Sequence, residues 1–223
     1  MYTKLRTFIL VVGLLLTGMV GNIHAGLAPV EIPGLYNTGI DDSGNVLNSG
    51  SVEIHYALTQ VPENSGYTSP HLITPHPRWV SPPEGSAWIG PSASANQDAE
   101  DGYYTYTLKF DLSEFDPNTV LIQGDWASDN TGEIFLNGKY TGLSNSATTY
   151  QSLSHFIINS GFKEGENTLE FKVNNESGPS YNPSGLLVAN LQATIVPSSV
   201  PLPGAIWLLG SAFVGIIGMR RKK

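Results

Sequence analysis

Between Val52 and Ile195 apolar side chains repeatedly take every second place, and this spacing constrains the fold more than any other feature. Tyr104, Tyr106, Leu108, Phe110 and Leu112 alternate with Thr105, Thr107, Lys109 and Asp111, the period of a strand with one buried face. The pattern recurs at Val52, Ile54, Tyr56, Leu58; at Val120, Ile122, Trp126; at Ile134, Leu136; at Phe156, Ile158; at Leu169, Phe171, Val173; and at Leu187, Ala189, Leu191, Ala193, Ile195. Turn formers such as Asn137-Gly138, Lys163-Glu164-Gly165 and Asn182-Pro183-Ser184-Gly185 separate the runs, which predicts an all-β antiparallel sandwich. No part of this region carries a helical period, which argues against a βαβ enzyme fold. Alternation alone does not separate a jelly roll from an immunoglobulin-like topology.

The two ends differ from this body. Lys4 and Arg6 precede an apolar run from Phe8 to Leu16, followed by Gly18, Gly21 and Ala25. That order predicts a secretory signal peptide over 1–25, cleaved after Ala25 or, as second choice, Ala28. The run falls short of the roughly 20 residues that an uncleaved anchor needs. At the other end, residues 204–219 are apolar or small and are followed by Arg220, Arg221, Lys222 and Lys223. Such a segment predicts a single transmembrane helix with its basic end inside. Pro201 and Pro203 hold the chain extended just before it.

One β-sandwich domain therefore spans 26–196, with an irregular loop over about 59–102, and a tail spans 197–223. The chain has no cysteine, so the domain must stand on its core without disulfides. Of the eleven Lys and Arg only Arg78, Lys109, Lys139, Lys163 and Lys172 lie in this domain, against all nineteen Asp and Glu, a formal charge of −14 (5 − 19). That sign argues against nucleic acid as a partner and suits solubility outside the cell.

The end Val200-Pro201-Leu202-Pro203, apolar helix and Arg/Lys cluster resembles the PEP-CTERM sorting signal of Gram-negative bacteria. The resemblance implies an exosortase-type membrane protease as partner, a transient inner-membrane anchor, and delivery to the cell surface or extracellular matrix. Leu202 stands where that motif has Glu. Gly124-Asp125-Trp126 through Asp129-Asn130 to Leu136-Asn137-Gly138, with the later Gly165-Glu166-Asn167-Thr168-Leu169, resembles galactose-binding-like jelly-roll domains over about residues 103–195. This implies a jelly-roll β-sandwich; Trp126, which shares its face with Val120 and Ile122, is expected in the core.

Candidate site residues fall into three groups. Asp125, Asp129 and Asn130, near Glu133, cluster oxygens as a structural Ca2+ would require, and equally as strand-end turns require; Ca2+ is the one candidate cofactor. Asp125, Asp129 and Glu133 are also the carboxylates that a glycoside hydrolase would use. For glycan binding, a flat sugar face wants an aromatic ring with amides or carboxylates at its edge, which points to Trp79, Trp88, Gln123, Asp125, Asn137 and His155. His55 and His155 fall on the polar places of their runs and read as ordinary surface histidines, with one shared exposed sheet face as the alternative. Asp41, Asp42, Ser43 and Asn45 read as a plain turn. No catalytic constellation emerges, so the sequence favours an exported, non-catalytic protein that binds exopolysaccharide. A glycoside hydrolase or a purely structural biofilm-matrix protein is the alternative.

Overall fold

The computed structural model describes residues 28–178 and 181–196. The expected signal peptide and the sorting motif Val200, Pro201, Leu202, Pro203, Arg220, Arg221, Lys222 and Lys223, with the helix 204–219, lie outside the described residues. Among the described residues no helix is long and apolar enough to cross a membrane.

The strands are β1 (Pro29–Val30), β2 (Tyr56–Gln60), β3 (His71–Leu72), β4 (Ile89–Gly90), β5 (Gly102–Asp111), β6 (Val120–Asp129), β7 (Thr131–Leu136), β8 (Lys139–Asn145), β9 (Ser154–Ile158), β10 (Glu166–Asn175) and β11 (Gly185–Ile195). They form two antiparallel sheets. One is six-stranded, in the order β3-β4-β11-β6-β9, with β1 also on β11; the other is five-stranded, in the order β2-β5-β10-β7-β8. From β5 to β11 the chain changes sheet at every step except the β7–β8 hairpin. That hairpin turns on Asn137 and Gly138, both at positive φ (52° and 74°), the combination that a tight hairpin turn favours.

The expected alternation builds the space between the sheets. Tyr104, Tyr106, Leu108, Phe110, Val120, Ile122, Trp126, Ile134, Leu136, Phe156, Ile158, Leu169, Phe171 and Val173 are all buried in one core. Phe171 sits at its centre, with ring centroids of Trp126, Phe156 and Tyr56 at 5.6, 6.0 and 6.3 Å. Burial holds the hydroxyls of Tyr56 and Tyr106 un-ionised, far above the ordinary tyrosine pKa.

Two runs depart from the expected pattern. The first begins only at Tyr56: Val52 and Ile54 are exposed, and the acidic residue between them, Glu53, is buried. The reason is local hydrogen bonding. The Glu53 carboxylate accepts the backbone N–H groups of Gly39 (2.7 Å), His55 (2.8 Å) and Ile54 (3.0 Å), which ties the preceding loop down and turns the polar place inward. The second departure is in β11. Leu186 and Val188 face the core, a register shift follows between Ala189 and Gln192, and Ala193 faces the core beyond it. Leu187 and Ala189, expected inside, point to the opposite face of the sheet.

That opposite face explains the loop 59–102. Leu187 and its cross-strand neighbour Ala127 pack under Ile73, Trp79, Trp88, Ala95 and Ala99, a second buried cluster with Tyr150 and Leu153 at its margin. The segment from Ile73 to Ala99 is thus a flap over half of the outer face of the six-stranded sheet. The other, bare half has no such flap, and there Gln123 and Asp125 are partly exposed and His155 exposed.

Candidate functional site

At the margin of the flap, beyond the end of β6 and the start of β11, lies a cleft of about 440 Å3 lined by His76, Arg78, Trp79, Asp129, Asn130, Tyr150, Tyr181, Asn182 and Pro183. Each wall has a local cause. Trp79 is carried over Gly185, where a Cβ would stand 2.8 Å from the indole ring, so only glycine lets the ring lie there. Stacking on Trp88 (centroids 4.3 Å apart) and the Val80 N–H to Tyr150 carbonyl bond (2.7 Å) fix the flap against the turn that carries Tyr150. Asn130 is held by accepting the Glu176 N–H at 2.8 Å, and Asn182 accepts the Ala99 N–H at its carbonyl at 2.9 Å. Tyr181 stands outward, 81% exposed.

The distinctive group is Asp129. Its carboxylate accepts the Trp79 indole N–H at 2.7 Å, yet the residue is 5% exposed. Burial pushes its pKa from 3.8 up to about 6; the indole bond opposes the rise, and the negative charge of Glu176 adds to it. A carboxyl held so far from its ordinary range, inside a cleft, marks a place where the fold tolerates instability. The cleft therefore offers a guanidinium, a carboxyl, amides and two tyrosines around a hollow of small-ligand size.

The sequence candidates separate. Trp79, Asp129 and Asn130 come together in this cleft. Trp88 does not reach it: the ring is 0% exposed, its N–H donates to the Val80 carbonyl at 2.9 Å, and it is a prop for the flap rather than a sugar platform. Trp79 is itself only 6% exposed and serves mainly by holding Asp129.

Gln123, Asp125 and His155 form a second group, on the bare half of the same sheet face. His155 lies opposite Asp125 across the β6–β9 pair, and its Nδ1 is 2.9 Å from Asp125 Oδ1. Asn190 donates to the other carboxylate oxygen at 2.8 Å. The bulge that shifts β11 places Asn190 there at φ 52°, and no alternation pattern signals such a bulge. His55 is elsewhere, stacked on Tyr36 ahead of β2, so the two histidines do not share a face.

Asn137 is absorbed by its turn. Its amide donates to the Gly161 carbonyl (3.1 Å) and Asn167 Oδ1 (2.9 Å), and its oxygen accepts the Thr168 N–H (3.1 Å), which leaves little for a ligand.

Asp125, Asp129 and Asn130 do not make the expected Ca2+ site. Asp125 and Asp129 are four places apart on one strand, about 13 Å at ordinary strand rise, and both Asp125 oxygens are engaged as described. Among the described residues no cluster of three or more His, Asp or Glu is set to hold a metal. Nor do Asp125, Asp129 and Glu133 converge as a hydrolase would need. Glu133 alternates with core-facing Gly132 and Ile134 on β7 and lies on the outer face of the five-stranded sheet, across the sandwich from the other two. Asp41 closes its own turn by accepting the N–H groups of Asn45 (2.8 Å) and Ser43 (2.9 Å), as expected.

Arg78, Tyr150, Tyr181 and Asn182 had no sequence signal. Nothing local distinguishes them, because the cleft exists only once the flap has folded over the sheet.

Fold and cleft together define a two-sheet antiparallel β-sandwich with a lateral cleft under a flap. No protein-family model matches the chain, and no curated protein matches it. Among solved structures it is similar to a family 35 carbohydrate-binding module from Clostridium thermocellum (13% identity, 63% of this chain and 88% of that one, TM-score 0.31). It is also similar to the family 35 module from Paenibacillus barcinonensis (13% identity, 60% and 92%, TM-score 0.32). A third is a carbohydrate-binding module solved with β-1,4-galactotriose (11% identity, 54% and 90%, TM-score 0.30). Likenesses of this size assign no ligand.

Proposed function

We propose that this chain is an exported, non-catalytic protein whose galactose-binding-like jelly roll binds polysaccharide in the cleft between Arg78, Asp129 and Tyr181. The observation that carries the reading is the Asp129 carboxyl, buried and raised to about 6 while lining an open cleft. A purely structural position would favour an apolar or neutral residue there. Exposed Tyr181 supplies a flat apolar face, and Arg78, Asn130 and Asn182 supply directional donors and acceptors, the pairing by which proteins hold sugar rings.

The ends of the chain support the cellular side of the proposal. The leader over 1–25 directs export, the Val200-Pro201-Leu202-Pro203 tail is cut by an exosortase-type enzyme of a Gram-negative host, and the released domain stays with surface or matrix polysaccharide. Intact mass of the protein recovered from surface and medium tests this half: loss of residues 1–25 and of everything past the Val200-Pro201 region is expected, and a retained Arg/Lys end overturns it.

The binding half is tested by a glycan array and a pull-down of the full chain with the host's own exopolysaccharide. Retention is expected, and Arg78→Ala or Tyr181→Ala weakens it roughly tenfold, about 1.4 kcal/mol, with the melting temperature unchanged. Blank results in both assays overturn the reading.

A further inference from the structure

We infer that the polysaccharide held in the Asp129 cleft carries free amino groups: a de-N-acetylated amino-sugar chain, with one ammonium on the Asp129 carboxylate and the chain running on over Tyr181 into an acidic groove. The inference rests on the glycan-binding reading above and adds to it the chemical class of the sugar.

Asp129 has one oxygen to spare. Oδ2 accepts the Trp79 indole N–H at 2.7 Å. Oδ1 bonds to no group among the described residues, yet it is not closed off from the cleft that Asp129 lines, although the residue is only 5% exposed. A buried carboxylate oxygen in that position calls for a donor. The surrounding charge decides which donor. Glu176 adds negative charge, and no cationic side chain is among the groups that set the acidity of Asp129. A sugar hydroxyl would complete the hydrogen bond and leave the charge; an ammonium answers both, and a charge-assisted bond is roughly twice as strong as a neutral one.

The other charged groups agree. On the flap, His76 accepts the Arg78 backbone N–H at Nδ1 (3.3 Å), which engages that nitrogen as an acceptor, and Arg78 is exposed. Against this one guanidinium stand Asp129 at the end of β6, Glu176 just beyond β10, and Asp98, Glu100 and Asp101 ahead of β5. Arg78 is left to the hydroxyl and ring oxygens of the sugar, which accept from it. A chain bearing carboxylates would be repelled by the same surroundings.

The cleft does not end at Tyr181. Tyr181 and Asn182 also line a neighbouring groove of about 350 Å3, together with Tyr67, Asp98, Glu100 and Asp101. Asn182 joins the two hollows: its N–H donates to the Asp98 carboxylate at 3.1 Å and its side-chain amide to Asp101 at 2.7 Å. Between them stands Tyr181, at φ 56°, an uncommon backbone conformation for so large a residue, and 81% exposed. A tyrosine face takes both the apolar side of a sugar ring and a cation. An amino-sugar chain laid across it has carboxylates on both sides.

The full chain, labelled with 15N in Trp and kept in a non-ionic detergent, is titrated by NMR at about pH 6.5. That lies above the ionisation of Asp129, at about 6, and below that of an ordinary amino group, about 7.7–8.0. The probes are the β-1,4-linked tetramer of glucosamine, its fully N-acetylated form, and tetralysine. The Trp79 indole N–H, bonded to Asp129, is the reporter. The glucosamine tetramer is expected to shift it with a dissociation constant roughly tenfold below that of the N-acetylated tetramer. Asp129→Asn is expected to erase this preference. Asp101→Asn, at an exposed position, is expected to reduce it by about threefold, and tetralysine is expected to leave the resonance still. Equal or tighter binding of the N-acetylated tetramer overturns the amine and leaves the glycan reading, as does a preference that survives Asp129→Asn. Tetralysine binding as tightly as the glucosamine tetramer makes the cleft a site for cations rather than for sugars and overturns the inference. If neither tetramer shifts Trp79 the inference falls, and the glycan reading then stands or falls with the exopolysaccharide pull-down.

Discussion

The six-stranded sheet has one face buried along its whole length and the other buried over only half of it. Inside, Trp126, Ile122, Phe156, Leu186 and Val188 meet the second sheet around Phe171. Outside, Ala127 and Leu187 are covered by the flap, whereas Gln123, Asp125 and His155 past the β11 bulge meet solvent. The inner face is built from large side chains of both sheets and specifies the sandwich. The outer cluster is smaller, comes largely from one loop, and ends in a cleft with a buried carboxyl. Stability is concentrated on one side of the sheet and opportunity for binding on the other.

Substitutions that enlarge cavities separate the two sides most clearly. Phe171→Ala removes the ring that Tyr56, Trp126 and Phe156 all touch and is expected to cost about 3–5 kcal/mol of global stability, read by urea denaturation. Trp88→Ala removes as large a side chain from the outer cluster, but its loss is expected to register as faster amide exchange confined to about residues 73–101, with the β5 and β10 amides still protected. A uniform loss of protection would mean that the two sides are one cooperative unit. Next in size is Gly185→Ala: the added methyl meets Trp79 at 2.8 Å and the Ile89 carbonyl at 3.1 Å. Overpacking of this kind costs about 1–3 kcal/mol and should displace the indole from Asp129, seen as a shifted Trp79 N–H resonance.

The inner face was legible because both sheets obey one period there: the runs at Tyr104 and Leu169 pair directly, Phe171 against Tyr106 and Leu169 against Leu108. The outer face was not. Leu187 and Ala189 continue the apolar alternation of β11 in sequence, and only the register shift after Ala189 shows that they face away from the main core, Leu187 into the cluster under the flap. A bulge leaves no mark on apolar spacing. Val52 and Ile54 misled for a related reason, since Glu53 found backbone donors and a buried charge with three such bonds outweighs a period. Of the candidate site, the residues that alternate on β6 and β9 were legible as a group. Those that depend on the flap, such as Arg78 and Tyr150, meet across a sequence gap that no local pattern spans.

The pH dependence of stability probes the cleft itself. The Asp129 pKa is raised from 3.8 to about 6 by burial, so the folded protein binds this proton more tightly than the unfolded chain. Between about pH 4 and 6 stability from this group therefore falls as pH rises; it is full below the unfolded value and lost once the folded group ionises. A shift of about two units corresponds to about 3 kcal/mol at most. Asp129→Asn keeps an acceptor for the Trp79 indole and removes the charge. The variant is expected to be about 1–2 kcal/mol more stable than the parent at pH 8 and no more stable at pH 4, measured by thermal melts at the two values. Equal effects at both would mean that the gain has nothing to do with ionisation.

The smallest effect belongs to the bare half, and it sharpens the comparison because it sets the lower limit. His155 and Asp125 lie 2.9 Å apart with the His155 side chain 55% exposed, so solvent and salt screen the pair. Removing either partner should cost no more than about 1 kcal/mol, the usual ceiling for an exposed pair. Asn190 complicates the count, since it donates to the second Asp125 oxygen and owes its position to the bulge. A double-mutant cycle over His155→Ala and Asn190→Gly resolves it. Glycine keeps the positive φ and removes only the amide, so a coupling near zero means that each partner binds Asp125 independently and that the row is ordinary surface chemistry. A coupling above about 0.5 kcal/mol means that the three side chains act as one fixed polar group. In that case the bare half is as pre-organised as the cleft, and the contrast between the two halves of the outer face is one of shape alone.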